Sequence, residues 1–149
     1  MTEIQAAITG IKRAYVNAPM SLPESDLPLF CNFIGPSTTD YDQYGDGDAL
    51  QMREFTMRLY VMIAQAGVNG EAEKKVEPYI PLVYAAFLAR PGLSSATTGH
   101  TAPLAGIRGA FIYSDGGISV LPFAGQDFIG CEFKLRVHET FSYTFAQGE

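Results

Sequence analysis

Apolar and polar residues alternate from Arg53 to Ile63, and this alternation constrains the fold more than any other feature of the chain. Its apolar members are Phe55, Met57, Leu59, Val61 and Ile63. A period of two is typical of a strand with one face in a core and the other near solvent. A helical stripe through Met52, Phe55, Leu59 and Met62 is the competing interpretation, but the strict alternation favours a long half-buried strand.

Other segments of the chain also predict strands. Leu27 to Ile34 is apolar on both faces. Ile129 to Val137 alternates again, and Phe141, Tyr143 and Phe145 continue that period. The stretches Ile107 to Tyr113 and Ile118 to Leu121 flank Ser-Asp-Gly-Gly, which is a hairpin signal.

Two segments predict helices. Thr2 and Gln5 form a capping-box pattern, and apolar residues then recur at helical spacing, so we expect a first helix from Thr2 to Asn17. A second helix is expected from about Glu71 to Ala89. Pro78 and Pro81 should break or kink it, because each lacks an amide donor and clashes with the preceding turn, so its well-formed part should begin near Pro78.

The predicted elements indicate an α+β fold in one domain spanning residues 1–149. Their order is α-β-β-α-β-β, with room for a further strand. We expect a largely antiparallel, twisted sheet of four to five strands packed with two helices. A chain of 149 residues is long enough to bury a hydrophobic core of its own.

Charged residues are scarce in this chain, at 17% against roughly 25% in ordinary soluble domains. From Pro91 to Gln126 only Arg108 and Asp115 carry a formal charge. Such a surface suits contact with other subunits, although a merely neutral, loop-rich segment explains it equally well. The net charge is −6 and basic residues are scattered, so we expect no sequence-specific nucleic-acid binding. An acidic wall past which DNA moves without sticking remains compatible.

The two cysteines, Cys31 and Cys131, each lie inside a predicted strand. The chain shows neither a signal-peptide pattern nor an apolar run long enough to span a membrane, so we expect a cytosolic, soluble protein without membrane contact. Buried free thiols are the expected state of both cysteines. His100 and His138 are distant in sequence and lack zinc-ligand spacing, so neither a metal nor another cofactor is expected.

An acidic segment from Asp40 to Asp48 joins the first two predicted strands and is the main candidate site. Its carboxylates are Asp40, Asp42, Asp46 and Asp48. The helix–loop–helix calcium pattern fails here, because Tyr44 stands at the fifth position and Gln51 at the twelfth. We expect a solvated loop whose carboxylates either contact a partner or repel passing DNA. A purely passive solvated loop and a weak surface cation site are the alternatives. Gly106 to Gly109 lacks the phosphate-loop pattern, and no catalytic residues are identified.

The order of elements resembles that of the tail-terminator proteins of long-tailed bacteriophages. The resemblance covers almost the whole chain and rests on a short N-terminal helix, an extended segment at Leu27–Ile34 and a long loop. A strand like that at Arg53–Val61, a helix closing like Val83–Leu88, a hairpin, and a long strand at Gly130–Val137 follow. The neutral Pro91–Gly106 stretch is longer than the family pattern.

The resemblance implies a structural, non-enzymatic virion protein that is made in the host cytoplasm and resides in the tail or neck. Such proteins form a ring, most often a hexamer, that caps the tail tube, stops its polymerisation and offers the head a docking face. The implied partners are copies of the same chain, the tail tube protein and a head-completion or connector protein, with DNA only passing through the channel.

Two alternatives stay open at this point. The first is a head-to-tail connector component or another ring subunit of the tail. The second belongs to a different class, a small enzyme or ligand-binding domain with an unrecognised pocket. Particle size in solution separates the classes, because a ring and a metabolite-binding monomer differ in mass.

Overall fold

A mixed five-stranded sheet with helices on one side forms the fold. The computed structural model describes residues 1–41, 47–65, 69–93 and 106–142. Its helices are α1 (Thr2–Ala6), α2 (Asn69–Val76) and α3 (Tyr79–Leu88), and its strands are β1 (Arg13–Tyr15), β2 (Leu29–Asp40), β3 (Asp48–Ile63), β4 (Ile107–Phe123) and β5 (Gln126–Ser142).

The strands lie in the order β1-β2-β3-β5-β4. Only the short pair of β1 with β2 is parallel, while β2 with β3, β3 with β5, and β4 with β5 are antiparallel. The predicted α+β class and the largely antiparallel sheet are therefore confirmed. The long strand expected over residues 53–63 is also confirmed, and β3 begins five residues earlier, at Asp48.

The main core lies between the helices and one side of the sheet, here called the helix face. Ile4, Val76, Val83 and Phe87 from the helical side meet apolar residues of the strands there. The strand residues buried on this face are Phe30, Met57, Leu59, Val61, Ala110, Ile129, Cys131, Phe133, Leu135 and Val137. Burial of this contiguous apolar surface is the main stabilising contribution to such a domain.

A β-bulge at Val61 shifts the register of β3 against β5. Tyr60 pairs with Gly130, and Met62 pairs with Ile129, so Val61 has no partner of its own on β5. Val61 and Met62 consequently both contact the helix-face core, and Ile63 packs into the smaller cluster on the other side. The prediction that Ile63 shares the face of Leu59 is therefore wrong, because a bulge inserts one residue into the alternation.

The first helix is much shorter than predicted. α1 ends at Ala6 rather than at Asn17, and Gly10, with φ of +92°, turns the chain in a backbone conformation that favours glycine. Arg13–Tyr15 then extend beside β2 as β1. Ile4 and Ile8 are still buried as the helical spacing implied, so the periodicity indicated the correct core residues but the wrong length.

Two proline positions behave as predicted. α2 ends at Val76 and α3 begins at Tyr79, with Pro78 directly before it and Pro81 in its first turn. The break expected near Pro78 is therefore confirmed. The first turn of a helix tolerates proline because its amides have no partner within the helix.

The hairpin predicted at Ser114–Gly117 is absent, and β4 runs through this segment as one strand. Its register against β5 shifts between Asp115 and Ile118, where Gly117 has φ of +69° and its N–H donates to Asp115 Oδ1 at 3.0 Å. The chain reverses instead at Ala124 and Gly125, with φ of +48° and +81°. Positive φ at both central residues is what a type I′ two-residue hairpin turn requires.

Gly130 should tolerate no side chain. A Cβ built there would overlap the carbonyl oxygen of Leu59, which belongs to the backbone of the neighbouring strand. We expect Gly130→Ala to lower the free energy of unfolding by about 3 kcal/mol or more, because backbone cannot move aside as a flexible side chain can. Urea denaturation measures this.

Gly109→Ala, on the adjacent strand β4, is the matched control, because a Cβ built at Gly109 meets no atom within 4 Å. We expect it to be neutral or stabilising by a few tenths of a kcal/mol. Equal losses in the two variants would contradict the close approach of β3 and β5.

Candidate interaction surface

The side of the sheet away from the helices, here called the open face, has a polar middle. Its apolar end is a small cluster in which Leu22 and Leu27 pack on Leu29, Tyr60 and Phe128. Beyond that cluster, polar, charged and aromatic side chains share most of the face. They are Phe33, Glu54, Thr56, Arg58, Phe111, Tyr113, Glu132, Lys134 and Arg136, with Met52 and His138 at the far end.

Ion pairs cross from β3 to β5 along the open face. Arg58 Nε lies 2.8 Å from Glu132 Oε2, and Lys134 Nζ lies 3.1 Å from Glu132 Oε1. Lys134 Nζ also donates to Thr56 Oγ1 at 2.8 Å, while Arg136 Nη2 lies 3.0 Å from Glu54 Oε1. The strand register places Arg58 opposite Glu132, Thr56 opposite Lys134 and Glu54 opposite Arg136. Glu132 and Lys134 are two residues apart on the same face of β5, so their contact follows from alternation.

Two aromatic rings on this face each have an arginine guanidinium group lying over them. The Arg58 guanidinium lies 4.9 Å from the centre of the Phe33 ring, and that of Arg136 lies 4.4 Å from the Tyr113 ring. These are cation–π distances. One side of each ring is therefore already covered, which leaves a poor platform for stacking bases.

The pKa of Glu132 is lowered from its ordinary value by its partners. Partial burial alone would raise the pKa, because desolvation disfavours a carboxylate, but hydrogen bonds from Arg58 and Lys134 and the charges of both outweigh that effect. Glu132 therefore stays ionised and holds two cations in place. Three basic and two acidic side chains leave this row with one excess positive charge.

Apolar surface remains exposed at the far end of the open face. Phe111 and Tyr113 are each 40% exposed, and Met52 is 36% exposed. His138 packs on Phe111 with 5.3 Å between ring centres, and its buried Nε2 has no hydrogen-bond partner among the described residues. Aromatic residues and arginine together are enriched in protein interfaces, so the composition of this face suits contact with another protein.

The structure places the outer members of the acidic segment at two adjacent strand ends. Asp40 is the last residue of β2 and pairs with Leu50, while Asp48 is the exposed first residue of β3. Asp42 and Asp46 lie outside the described residues. β2 extends to Asp40 rather than ending at Ile34, so the predicted strand was too short, although its antiparallel pairing with the next strand is as expected.

The two cysteines are buried and unpaired, as predicted. Cys31 packs in the open-face cluster and Cys131 in the helix-face core, so the sheet separates the two thiols. Burial raises the pKa of Cys31 to about 11, against an opposing effect of Arg58, and raises that of Cys131 to about 12. Both remain protonated at neutral pH and are poor nucleophiles and poor metal ligands.

A groove of about 550 Å³, which the sequence patterns did not indicate, opens at the end of β3. Its lining combines residues from the turn after α1, the end of β3 and the junction of α2 with α3. They are Thr9, Gly10, Pro28, Val61, Met62, Lys74, Lys75, Pro78, Tyr79 and Leu82. The Tyr79 hydroxyl group lies against Gly10, where a Cβ would come within 2.7 Å of it, so glycine allows this close packing.

Comparisons with known proteins add no relative. No protein-family model matches the chain, and no curated protein matches it in sequence. Within the described ranges, no three His, Cys, Asp or Glu side chains come together in a way that could hold a metal ion, and His100 lies outside those ranges. None of the described helices is long and apolar enough to cross a membrane.

The carboxylate of Glu132 should make stability depend on pH. Because its folded-state pKa is lowered, its contribution is present above the unfolded pKa near 4.5 and is lost as pH falls through the folded value. We expect Glu132→Gln to lower stability at pH 7 and to flatten the fall in stability below pH 4.5. Urea midpoints across pH measure this. Glu77→Gln, on an exposed residue between α2 and α3 that makes no ion pair among the described residues, is the control.

Replacing both cysteines should leave the fold and any assembly intact. The thiols act as small apolar groups in well-packed positions, so Cys31→Val and Cys131→Val should each cost about 1–2 kcal/mol at most. Thermal denaturation and light scattering of the double variant check this. Loss of a binding activity in a well-folded double variant would contradict a purely structural role.

Proposed function

We propose that this chain is a structural subunit that assembles with copies of itself into a closed ring of six, and that the ring acts as the tail terminator of a long-tailed phage. In that role the ring caps the tail tube, stops its polymerisation and offers a docking face to the head. The chain contributes surfaces and shape rather than catalysis.

One observation carries the assembly part of this proposal. The open face exposes Phe111, Tyr113 and Met52 in a domain with an unusually low charged fraction. Its arginines, which would otherwise have to be desolvated alone, are already paired with carboxylates and aromatic rings. Covering such a face with another subunit costs little desolvation free energy, because its charged groups need no new partner.

The order of elements supports the family part of the proposal. A short N-terminal helix, an antiparallel strand pair, a broken helix and a terminal pair of long antiparallel strands follow one another along the chain. This is the order on which the resemblance to tail terminators rests. The differences are the short β1 beside β2 and the uninterrupted β4, which replaces a separate hairpin.

A charged substitution on the open face tests the assembly. The wild-type protein should have a mass in solution of about six times 16.2 kDa by light scattering. We expect Phe111→Glu to reduce this mass, because the apolar surface of the ring is lost and a carboxylate would have to be desolvated in the contact. Leu88→Glu, on a residue that is 72% exposed on α3, should leave the mass unchanged. A protein that stays monomeric at high concentration and with tail tubes would overturn the proposal.

The acidic segment between β2 and β3 should dock a basic partner surface. Replacing Asp40, Asp42, Asp46 and Asp48 with Asn removes four negative charges per subunit while keeping side-chain size. We expect rings of normal mass that bind tail tubes or the head connector more weakly and with less dependence on salt. Capping of tail tubes and a salt titration of binding measure this. Unchanged capping would leave the segment as a solvated connection.

A further inference from the structure

We propose that the groove at the end of β3 receives residues 143–149 of a second copy of this chain. The inference rests on the proposed ring and deepens it by naming one contact between neighbouring subunits. It concerns a surface separate from the open face, on the helix side of the sheet.

The groove offers an apolar floor with a basic rim. Val61, Met62, Leu82 and the ring of Tyr79 supply apolar surface. Lys74 is paired with Glu71 at 3.3 Å, whereas Lys75 makes no ion pair with a described residue. A volume of about 550 Å³ falls within the range of sites that hold small ligands or a few side chains of a peptide.

Residues 143–149 have the matching chemistry. Their sequence is Tyr-Thr-Phe-Ala-Gln-Gly-Glu, with aromatic side chains at Tyr143 and Phe145, an acid at Glu149 and no basic residue. In an extended segment, residues two apart project to the same side about 7 Å from each other. Two aromatic groups could thus enter an apolar groove together while the acid meets Lys75. Aromatic anchors of this kind contribute most to peptide affinity.

The segment cannot reach the groove of its own chain. Ser142 pairs with Asp48 at one end of β3, whereas Val61 lies thirteen residues further along that strand. At about 3.3 Å per residue this separation is roughly 40 Å. Seven residues span at most about 25 Å when fully extended. Residues 143–149 can therefore reach this groove only on another molecule.

The positions of residues 143–149 and of the groove suit a ring. Each copy carries the segment at one end of its long central strands and the groove at the other end. Contacts between two different surfaces of identical subunits propagate from head to tail, and they close into rings when the rotation allows it.

A peptide-binding measurement tests the site directly. The probe is a fluorescent peptide of residues 142–149, and the target is the chain shortened after Ser142. We expect micromolar binding by fluorescence anisotropy, at least tenfold weaker binding to the Leu82→Glu target, and a similar loss for a peptide carrying Phe145→Ala. Leu88→Glu, on the same helix but outside the groove, should bind as tightly as the unchanged target.

Mixing two defective proteins tests exchange between molecules. One protein keeps its tail but carries Leu82→Glu, and the other is shortened after Ser142 and keeps an intact groove. We expect each alone to show reduced mass by light scattering, and an equimolar mixture to form a complex of one copy of each. A mixture that shows no such complex would overturn the exchange between copies.

The outcomes separate this inference from the proposed ring. Absence of peptide binding together with full-sized particles of the shortened protein would overturn the groove contact and leave the ring standing. A monomeric full-length protein whose shortened form binds the peptide would overturn the ring but support the groove as a peptide site. Equal loss of peptide binding in Leu82→Glu and Leu88→Glu would point to a site elsewhere.

Discussion

The close approach of β3 and β5 at Gly130 is the constraint on which the rest of the molecule depends. The absence of a Cβ lets the Leu59 carbonyl group lie against the partner strand, and the adjacent bulge at Val61 redirects the end of β3. That redirection turns both Val61 and Met62 toward the helix side, where they form part of the groove floor. Ile63 can then close the open-face cluster. The close approach and the bulge beside it together link the packing of both faces to the shape of a candidate site.

A buried pair of side-chain amides fixes the position of α1 on the sheet. Gln5 and Asn32 exchange hydrogen bonds of 2.7 and 2.8 Å, and Asn32 also donates to the Tyr15 carbonyl oxygen at 2.9 Å. These three hydrogen bonds form only if α1, β1 and β2 occupy their observed positions. Moving α1 would leave buried polar groups unsatisfied, at a cost of about 1–3 kcal/mol each. The pair therefore fixes a helix too short to be stable alone.

Strand patterns and proline positions predicted the fold class, the long strand β3, the alternation of β5 and the break before α3, because periodicity and missing amides act locally. The length of α1 and the continuity of β4 depend on distant partners instead. The chain after Gly10 extends because residues 13–15 pair with the edge of β2. The Ser-Asp-Gly-Gly segment forms an irregularity inside β4 instead of a hairpin, where the Asp115 carboxylate accepts hydrogen bonds from the Gly117 N–H and the Tyr84 hydroxyl group. The alternation in β3 and β5 placed their polar residues on one face of each strand, but it did not give the register that pairs Arg58 with Glu132. The groove unites segments far apart in sequence, which no local pattern reveals.

The irregular backbone of β4 has a consequence for how copies of the chain can meet. β4 lies at the margin of the sheet, where unpaired amides and carbonyl groups would otherwise recruit strands from other molecules. Three register shifts interrupt β4. Two of its amides are also used within the chain, because the Gly117 N–H donates to Asp115 and the Ala110 N–H donates to the Pro91 carbonyl oxygen at 2.7 Å. An interrupted margin is a poor template for backbone pairing, which would add strands without limit. At this margin, association is thereby directed to side-chain surfaces, whose shape can bring growth to a stop at a fixed number of subunits.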